Sequence, residues 1–297
     1  MPSPLIIWEN AKPVDMHEPV LVCGLEGWID AGFSGLTAIG NLKLQIRTHR
    51  LVRFDTDELI DQRARRPRMR LVDGVNTGLV FPRLQIRHGR DTAGQDVLVL
   101  TGPEPDFRWN RFTEAVMELV DELGVRMLVG LGAFPAPYPH TRPTTLGSTA
   151  TTAELATQIG HLQGGYEIPA GVSAALERAF ADVGKPAVGI WARVPHYVAT
   201  MPYPAASAAL LDALARVTGL VVDTAELHRS GSNAREQIDG LIANNPEHMA
   251  MVRQLEAQLE SGDDHIAGQG STPFADPGNL PSGDELAAEL ERYLRDQ

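Results

Sequence analysis

Two stretches of the sequence carry the side chains best suited to chemistry. Phe134-Pro135-Ala136-Pro137-Tyr138-Pro139-His140-Thr141-Arg142-Pro143 follows an apolar run and holds four prolines, one imidazole and one guanidinium. Prolines restrict the backbone, so His140 and Arg142 are held in place at little entropic cost. Loops beyond strand carboxyl ends are where open α/β sheets bind ligands. There His140 could handle a proton and Arg142 could hold a phosphate or carboxylate. The same composition suits a stiff subunit contact in which Arg142 pairs with an acid, and the spacing leaves both readings open.

The second stretch, Gly24-Leu25-Glu26-Gly27-Trp28-Ile29-Asp30-Ala31-Gly32, leaves an apolar run where a phosphate-cradling turn would stand. Its spacing is not the dinucleotide fingerprint, and no Gly-Lys-Ser/Thr pair makes it a P-loop. Glu26 and Asp30 would repel a phosphate. Asp30 also suits the N-cap of a helix running from Ala31. If His140 and His196 converge near Asp30, then Asp30 or His140 could move a proton.

Other chemistries find less support. The nine histidines are scattered without a His-Glu-x-x-His pair, which argues against a metal centre. Ser148 lacks the Gly-x-Ser-x-Gly elbow. The single cysteine, Cys23, lies in Val20-Leu21-Val22-Cys23, excludes an intramolecular disulfide and reads as a buried, inert thiol. Five arginines crowd Arg63 to Arg70, but Asp55, Asp57, Glu58 and Asp61 precede them, so a salt-bridge belt, internal or between subunits, is expected.

The elements that must position these residues follow an α/β pattern. Strands are expected at Val20 to Gly24, Leu51 to Phe54, Asp96 to Leu100, Arg126 to Leu131 and Ala187 to Ala192. Leu84 to His88 alternates and turns through Asp91 to Gly94 into the Val97 strand, which makes the sheet mixed. Trp109, Phe112, Val116, Leu119, Val120 and Leu123 form one stripe of a helix over Arg108 to Leu123. Val172, Leu176 and Phe180 mark a second helix begun at Pro169, and Leu210, Leu211, Leu214 and Val217 mark a third. After Val222 the spacing is helical without strands, and Asn244-Asn245-Pro246-Glu247 breaks it into a two-helix hairpin. Residues 261 to 283 read as a linker or a disordered stretch, followed by a capping box at Ser282 to Glu285 and a short terminal helix faced by Leu286, Leu290, Tyr293 and Leu294. The expected organisation is an α/β core over 1–222, a helical extension over 223–262, and a linker with terminal helix over 263–297.

The chain has 297 residues and a net charge of −12, with 43% hydrophobic and 22% charged residues. That composition excludes a fully disordered chain. The acidic balance argues against a broad nucleic-acid-binding face. No run of 18 apolar residues and no basic start followed by a long apolar core is present, so a soluble cytoplasmic protein without a membrane partner is expected.

Five ordered segments carry a family resemblance. Glu26-Gly27-Trp28-Ile29-Asp30-Ala31-Gly32, Phe54-Asp55-Thr56-Asp57-Glu58-Leu59 with Arg63-Ala64-Arg65-Arg66-Pro67, Pro105-Asp106-Phe107-Arg108-Trp109, Pro139-His140-Thr141-Arg142-Pro143 and Val194-Pro195-His196-Tyr197-Val198 resemble the actinobacterial branch of the PAC2 family, that of the proteasome assembly chaperones. The resemblance implies a three-layer α/β/α core similar to nucleoside phosphorylases, with a C-terminal helical extension and a homotrimeric assembly. Eukaryotic and archaeal members of the family act by binding proteasome subunits during assembly, without known catalysis, and no cofactor is expected here. One departure stands out: assembly factors that insert their tails carry a penultimate tyrosine, whereas this sequence closes on Tyr293-Leu294-Arg295-Asp296-Gln297. Two functions compete. One is a non-catalytic oligomeric protein-binding factor with an unidentified protein partner. The other is a nucleoside- or phosphate-ester-handling enzyme. The candidate ligand or interface site for either comprises Glu26, Trp28, Asp30, His140, Arg142 and His196.

Overall fold

The computed structural model describes residues 3–11, 15–161, 164–165 and 167–261. In chain order the elements are β1 (Ile6–Trp8), β2 (Val20–Glu26), α1 (Ser34–Gln45), β3 (His49–Phe54), α2 (Thr56–Leu59), β4 (Arg68–Val72), β5 (Val75–Val80), β6 (Gln85–Arg90), β7 (Asp96–Pro103), α3 (Trp109–Glu122), β8 (Met127–Ala136), β9 (Leu146–Ala150), α4 (Ala153–Ile159), α5 (Val172–Asp182), β10 (Ala187–Pro195), α6 (Pro204–Thr218), α7 (Ala225–Ala243) and α8 (Pro246–Glu260). Eight strands form one sheet in the order β1-β3-β6-β7-β2-β8-β10-β9, and β4 pairs with β5 in a separate hairpin. The four strands β7, β2, β8 and β10 are parallel, while antiparallel strands flank them on both sides. The expected mixed sheet and the β6–β7 hairpin are both present.

Parallel strands buried on both faces read as continuous apolar runs, and here the two faces differ in side-chain type. Val20, Val22, Val97, Val99 and Val129 point to one core, which α1 and α6 cover with Ile39, Leu42, Leu210 and Leu214. Leu21, Leu98, Leu100 and Leu128 point to the other, which α3 and α5 cover with Phe112, Leu119, Leu176 and Phe180. Helices therefore lie on both faces, giving a three-layer α/β/α arrangement. Cys23 is buried in the leucine core, where desolvation pushes its thiol pKa up to about 12, consistent with an inert thiol.

The α3 helix starts one residue later than the sequence suggests, because Arg108 adopts a left-handed conformation as its N-cap. Phe112 then meets Phe54 edge-on at 4.9 Å between ring centroids. At the break between α7 and α8 the Asn245 carboxamide oxygen accepts the Glu247 and His248 amides, with Pro246 in the first turn. Among the described residues no helix is long and apolar enough to cross a membrane. The linker beyond Ser261 and the terminal helix expected from Ser282 lie outside the described residues.

Gly102 is required by its surroundings. It has a φ of 126°, and a Cβ there would sit 2.1 Å from the Arg83 carbonyl oxygen, where the chain closes onto β6.

Phe112→Ala removes a fully buried ring from the leucine core and is expected to cost about 3–5 kcal/mol, read as a lower urea midpoint at unchanged slope.

Candidate functional site

Strand direction gathers the candidate residues at one end. β2, β7, β8 and β10 all finish on the same edge, β3 also ends there, and β6 and β9 start there. The Gly27–Phe33 segment, the 137–145 loop, the His196–Tyr203 segment and the β4–β5 hairpin thus all stand on that edge. A cavity of about 650 Å³ lined by His17, Arg90, Asp96 and Arg126 opens near the opposite ends of the strands, and none of the candidate residues lines it.

The proline-rich loop is a joint for the C-terminal helices. His140 is buried, and its backbone N–H donates to the Tyr197 hydroxyl at 2.8 Å. Its ring spans two partners, with Nδ1 2.7 Å from the Tyr197 hydroxyl and Nε2 2.9 Å from an Asp239 carboxylate oxygen on α7. A carboxylate only accepts, so the neutral imidazole keeps its proton on Nε2 and Nδ1 accepts the Tyr197 O–H. Burial pushes the Tyr197 pKa up to about 12, which keeps that phenol protonated at neutral pH. The next two residues continue the pattern: Thr141 Oγ1 donates to Glu256, and Arg142 pairs with Glu260. Glu256 and Glu260 are four apart on α8 and so share one face. Arg142 thus pairs with an acid of its own chain.

His196 is exposed, its Nδ1 lies 3.4 Å from the Ala136 carbonyl, and its ring meets Tyr197 edge-on at 5.3 Å. His140 and His196 therefore both contact Tyr197, a residue that the candidate list lacks. Asp30 is engaged elsewhere. Its carboxylate accepts the Gly35 amide at 2.7 Å and the Leu36 amide at 3.0 Å, capping the first turn of α1 across the intervening turn at Ala31–Phe33. Burial raises its pKa, and these hydrogen bonds oppose that rise.

Glu26, exposed at the end of β2, belongs to a second cluster. Its carbonyl accepts the Glu104 amide, while the buried Glu104 carboxylate accepts the Val172 amide at the start of α5. A Cβ on Gly171 would meet both Glu104 and the half-exposed Trp28 indole, so Trp28 packs where α5 begins. Arg65 lies against Gly27 and reaches the Asp106 carboxylate at 3.3 Å.

The rest of the arginine run does not form the internal version of the expected salt-bridge belt. Among the described residues Arg63, Arg66, Arg68 and Arg70 form no ion pair, and Glu58 pairs instead with Arg108. The chain turns outward after Arg65 into β4 and β5, and this separates the arginines from the preceding acids. Every residue of both strands is exposed, including Met69, Leu71, Val72, Val75, Leu79 and Val80, with Phe81 just beyond. A two-stranded hairpin is marginally stable alone in water, and an exposed apolar patch of this kind marks an interaction site.

The PAC2 family profile matches residues 24–242, a span containing every candidate residue and the hairpin. The chain belongs to the PAC2 family. Three solved structures resemble this PAC2 protein over most of its length. A Corynebacterium glutamicum protein of unknown function is 30% identical with a TM-score of 0.81, covering 88% of this chain and 98% of its own. A Mycobacterium tuberculosis protein of unknown function is 35% identical with a TM-score of 0.81, covering 89% and 93%. A proteasome-assembly chaperone homologue from M. tuberculosis is 35% identical with a TM-score of 0.73, covering 78% and 99%. No curated protein matches. The family profile stops short of α8, so Glu256 and Glu260 lie outside the matched span.

Two outcomes test the joint and the cap. Tyr197→Phe leaves the His140 amide without its acceptor and is expected to cost about 1–3 kcal/mol, with faster amide exchange in α7 and α8 than in β2 and β7. The raised pKa of Asp30 favours its protonated form in the fold, so its contribution is full below the ordinary aspartate value of about 3.9 and is lost as pH rises through the raised value. Asp30→Asn is expected to flatten that decline in a series of melts from acid to neutral pH.

Proposed function

We propose that this PAC2 protein is a chaperone-like, protein-binding assembly factor whose partners are proteasome subunits. The observation that carries this reading is the exposed hairpin, which presents apolar and cationic side chains outward from the edge where the carboxyl ends of the parallel strands gather. Family membership supports the class of partner, since a 35% identical relative is described as a proteasome-assembly chaperone homologue. Met69, Leu71, Leu79 and Phe81 supply apolar anchors of the kind that dominate protein interfaces, and Arg68 and Arg70, on the other face of the hairpin, add positive charge that speeds encounter with an acidic surface.

In this reading the residues around His140 play a supporting part. They hold α7 and α8 against the sheet edge and so set the shape of the surface beside the arm. The assembly acts as a homotrimer in its cytoplasmic setting, as the family resemblance implies.

The test is size-exclusion chromatography with light scattering on mixtures of this protein and recombinant proteasome α and β subunits. A co-migrating complex is expected, and Met69→Glu combined with Leu71→Glu is expected to weaken it at least about tenfold without lowering the melting temperature. Failure of every subunit to bind the unaltered protein would sink the proposal, and the same runs report whether the free protein carries three copies.

A further inference from the structure

The hairpin and the acidic C-terminal segment of the same chain are complementary in charge and in apolar character. Residues 63–83 contain six arginines against one aspartate, a net charge of +5 in a chain whose total is −12. Residues 262–297 contain eight acids, Asp263, Asp264, Asp276, Asp284, Glu285, Glu289, Glu291 and Asp296, against Arg292 and Arg295, a net charge of −6. The acids flank Leu286, Leu290, Tyr293 and Leu294, whose spacing places them on one stripe when read at helical period. Like charges oppose pairing of the hairpin with the hairpin of a second copy, whereas the C-terminal segment nearly neutralises it.

Position supports the same match. α8 ends at Glu260, which pairs with Arg142 on the carboxyl edge of the sheet. The hairpin stands on that same edge, between the end of β3 and the start of β6. From the β3/β6 pair to the β8/β10 pair is four strand positions in the sheet order, roughly 20 Å at the usual inter-strand spacing. A random coil of the 22 residues that separate Ser261 from Asp284 has a root-mean-square reach of roughly 25 Å. The apolar stripe that follows it can therefore reach the hairpin of its own chain without straining α8.

We propose that residues 284–294 dock in cis on the face of the β4–β5 hairpin that carries Arg68, Arg70, Val72, Val75 and Val80, with Leu286, Leu290 and Leu294 against those valines and Glu289 and Glu291 facing the two arginines. A segment tethered this closely is present at a millimolar effective concentration, so modest contacts suffice to keep it in place. That face lies opposite the Met69, Leu71 and Leu79 row to which the proposed function assigns the proteasome subunit. The docking itself requires no partner, so it stands or falls separately from that function.

Hydrogen exchange on the purified full-length protein tests it. Leu286→Ser combined with Leu290→Ser is expected to speed exchange of the β4 and β5 amides by at least about tenfold while leaving β2 and β7 unchanged. Arg68→Glu with Arg70→Glu is expected to do the same, and adding Glu289→Arg with Glu291→Arg is expected to restore protection. Protection is expected to be independent of protein concentration from about 1 to 100 μM, as an intramolecular contact requires. Hairpin amides that are unprotected in the unaltered protein, or indifferent to both tail and arginine variants, would overturn the proposal. Protection that climbs with concentration would overturn it in favour of a second copy.

Discussion

Four neighbouring strands running the same way impose one constraint from which the organisation of this molecule follows. Parallel strands need connections that cross a face of the sheet, and α1, α3 and α5 lie in those connections while α6, which follows β10, completes the cover of one face. The same geometry sends every strand carboxyl end to a single edge. Loops that are distant in sequence meet there, and antiparallel β3 and β6 bring the hairpin to the same place. Nothing in the local sequence of the hairpin or the proline-rich loop specifies that meeting.

At that edge the chain uses its polar groups in two ways. His140 is enclosed and takes all its ring hydrogen bonds from Tyr197 and Asp239, so loss of either partner leaves a buried polar atom unpaired. Arg142 with Glu260 is largely exposed, and such a pair contributes little to stability by itself. The joint is therefore firm at its inner residue and weakly held at its outer one. That gradient matters for a neighbouring surface that has to receive a protein partner, because the inner contact fixes the helical pair while the outer one can adjust.

Much of the framework was legible in the sequence because burial on both faces leaves long apolar runs, as at Val20 to Cys23 and Val97 to Leu100. The stripe on α3 and the Asn245-Pro246 break were legible for similarly local reasons. β9 was not, because Leu146-Gly147-Ser148-Thr149-Ala150 is a short edge strand of small residues whose pairing with β10 is a property of the fold. The hairpin was hidden by its own arginines, which drew attention to charge and away from the alternating Met69, Leu71, Leu79 and Phe81. In the site, Asp30 was readable as a cap and Arg142 as the partner of an acid. Tyr197 and Asp239 were not, since they lie 57 and 99 residues from His140 and no motif links them.

The division of the sheet into a valine face and a leucine face has a consequence for alignment. Most β-sheets defend their register by polarity, because sliding a strand by one residue would turn charged side chains inward. β2 and β7 have almost no polarity to defend with: Val20, Leu21 and Val22 lie opposite Val97, Leu98 and Val99. A one-residue slide would exchange branched, compact side chains for longer ones on both sides at once, crowding one core and hollowing the other. Alignment in the centre of this protein is thus encoded as volume, a key cut in methylene groups, and a Val-to-Leu exchange there, apolar for apolar, would blur it.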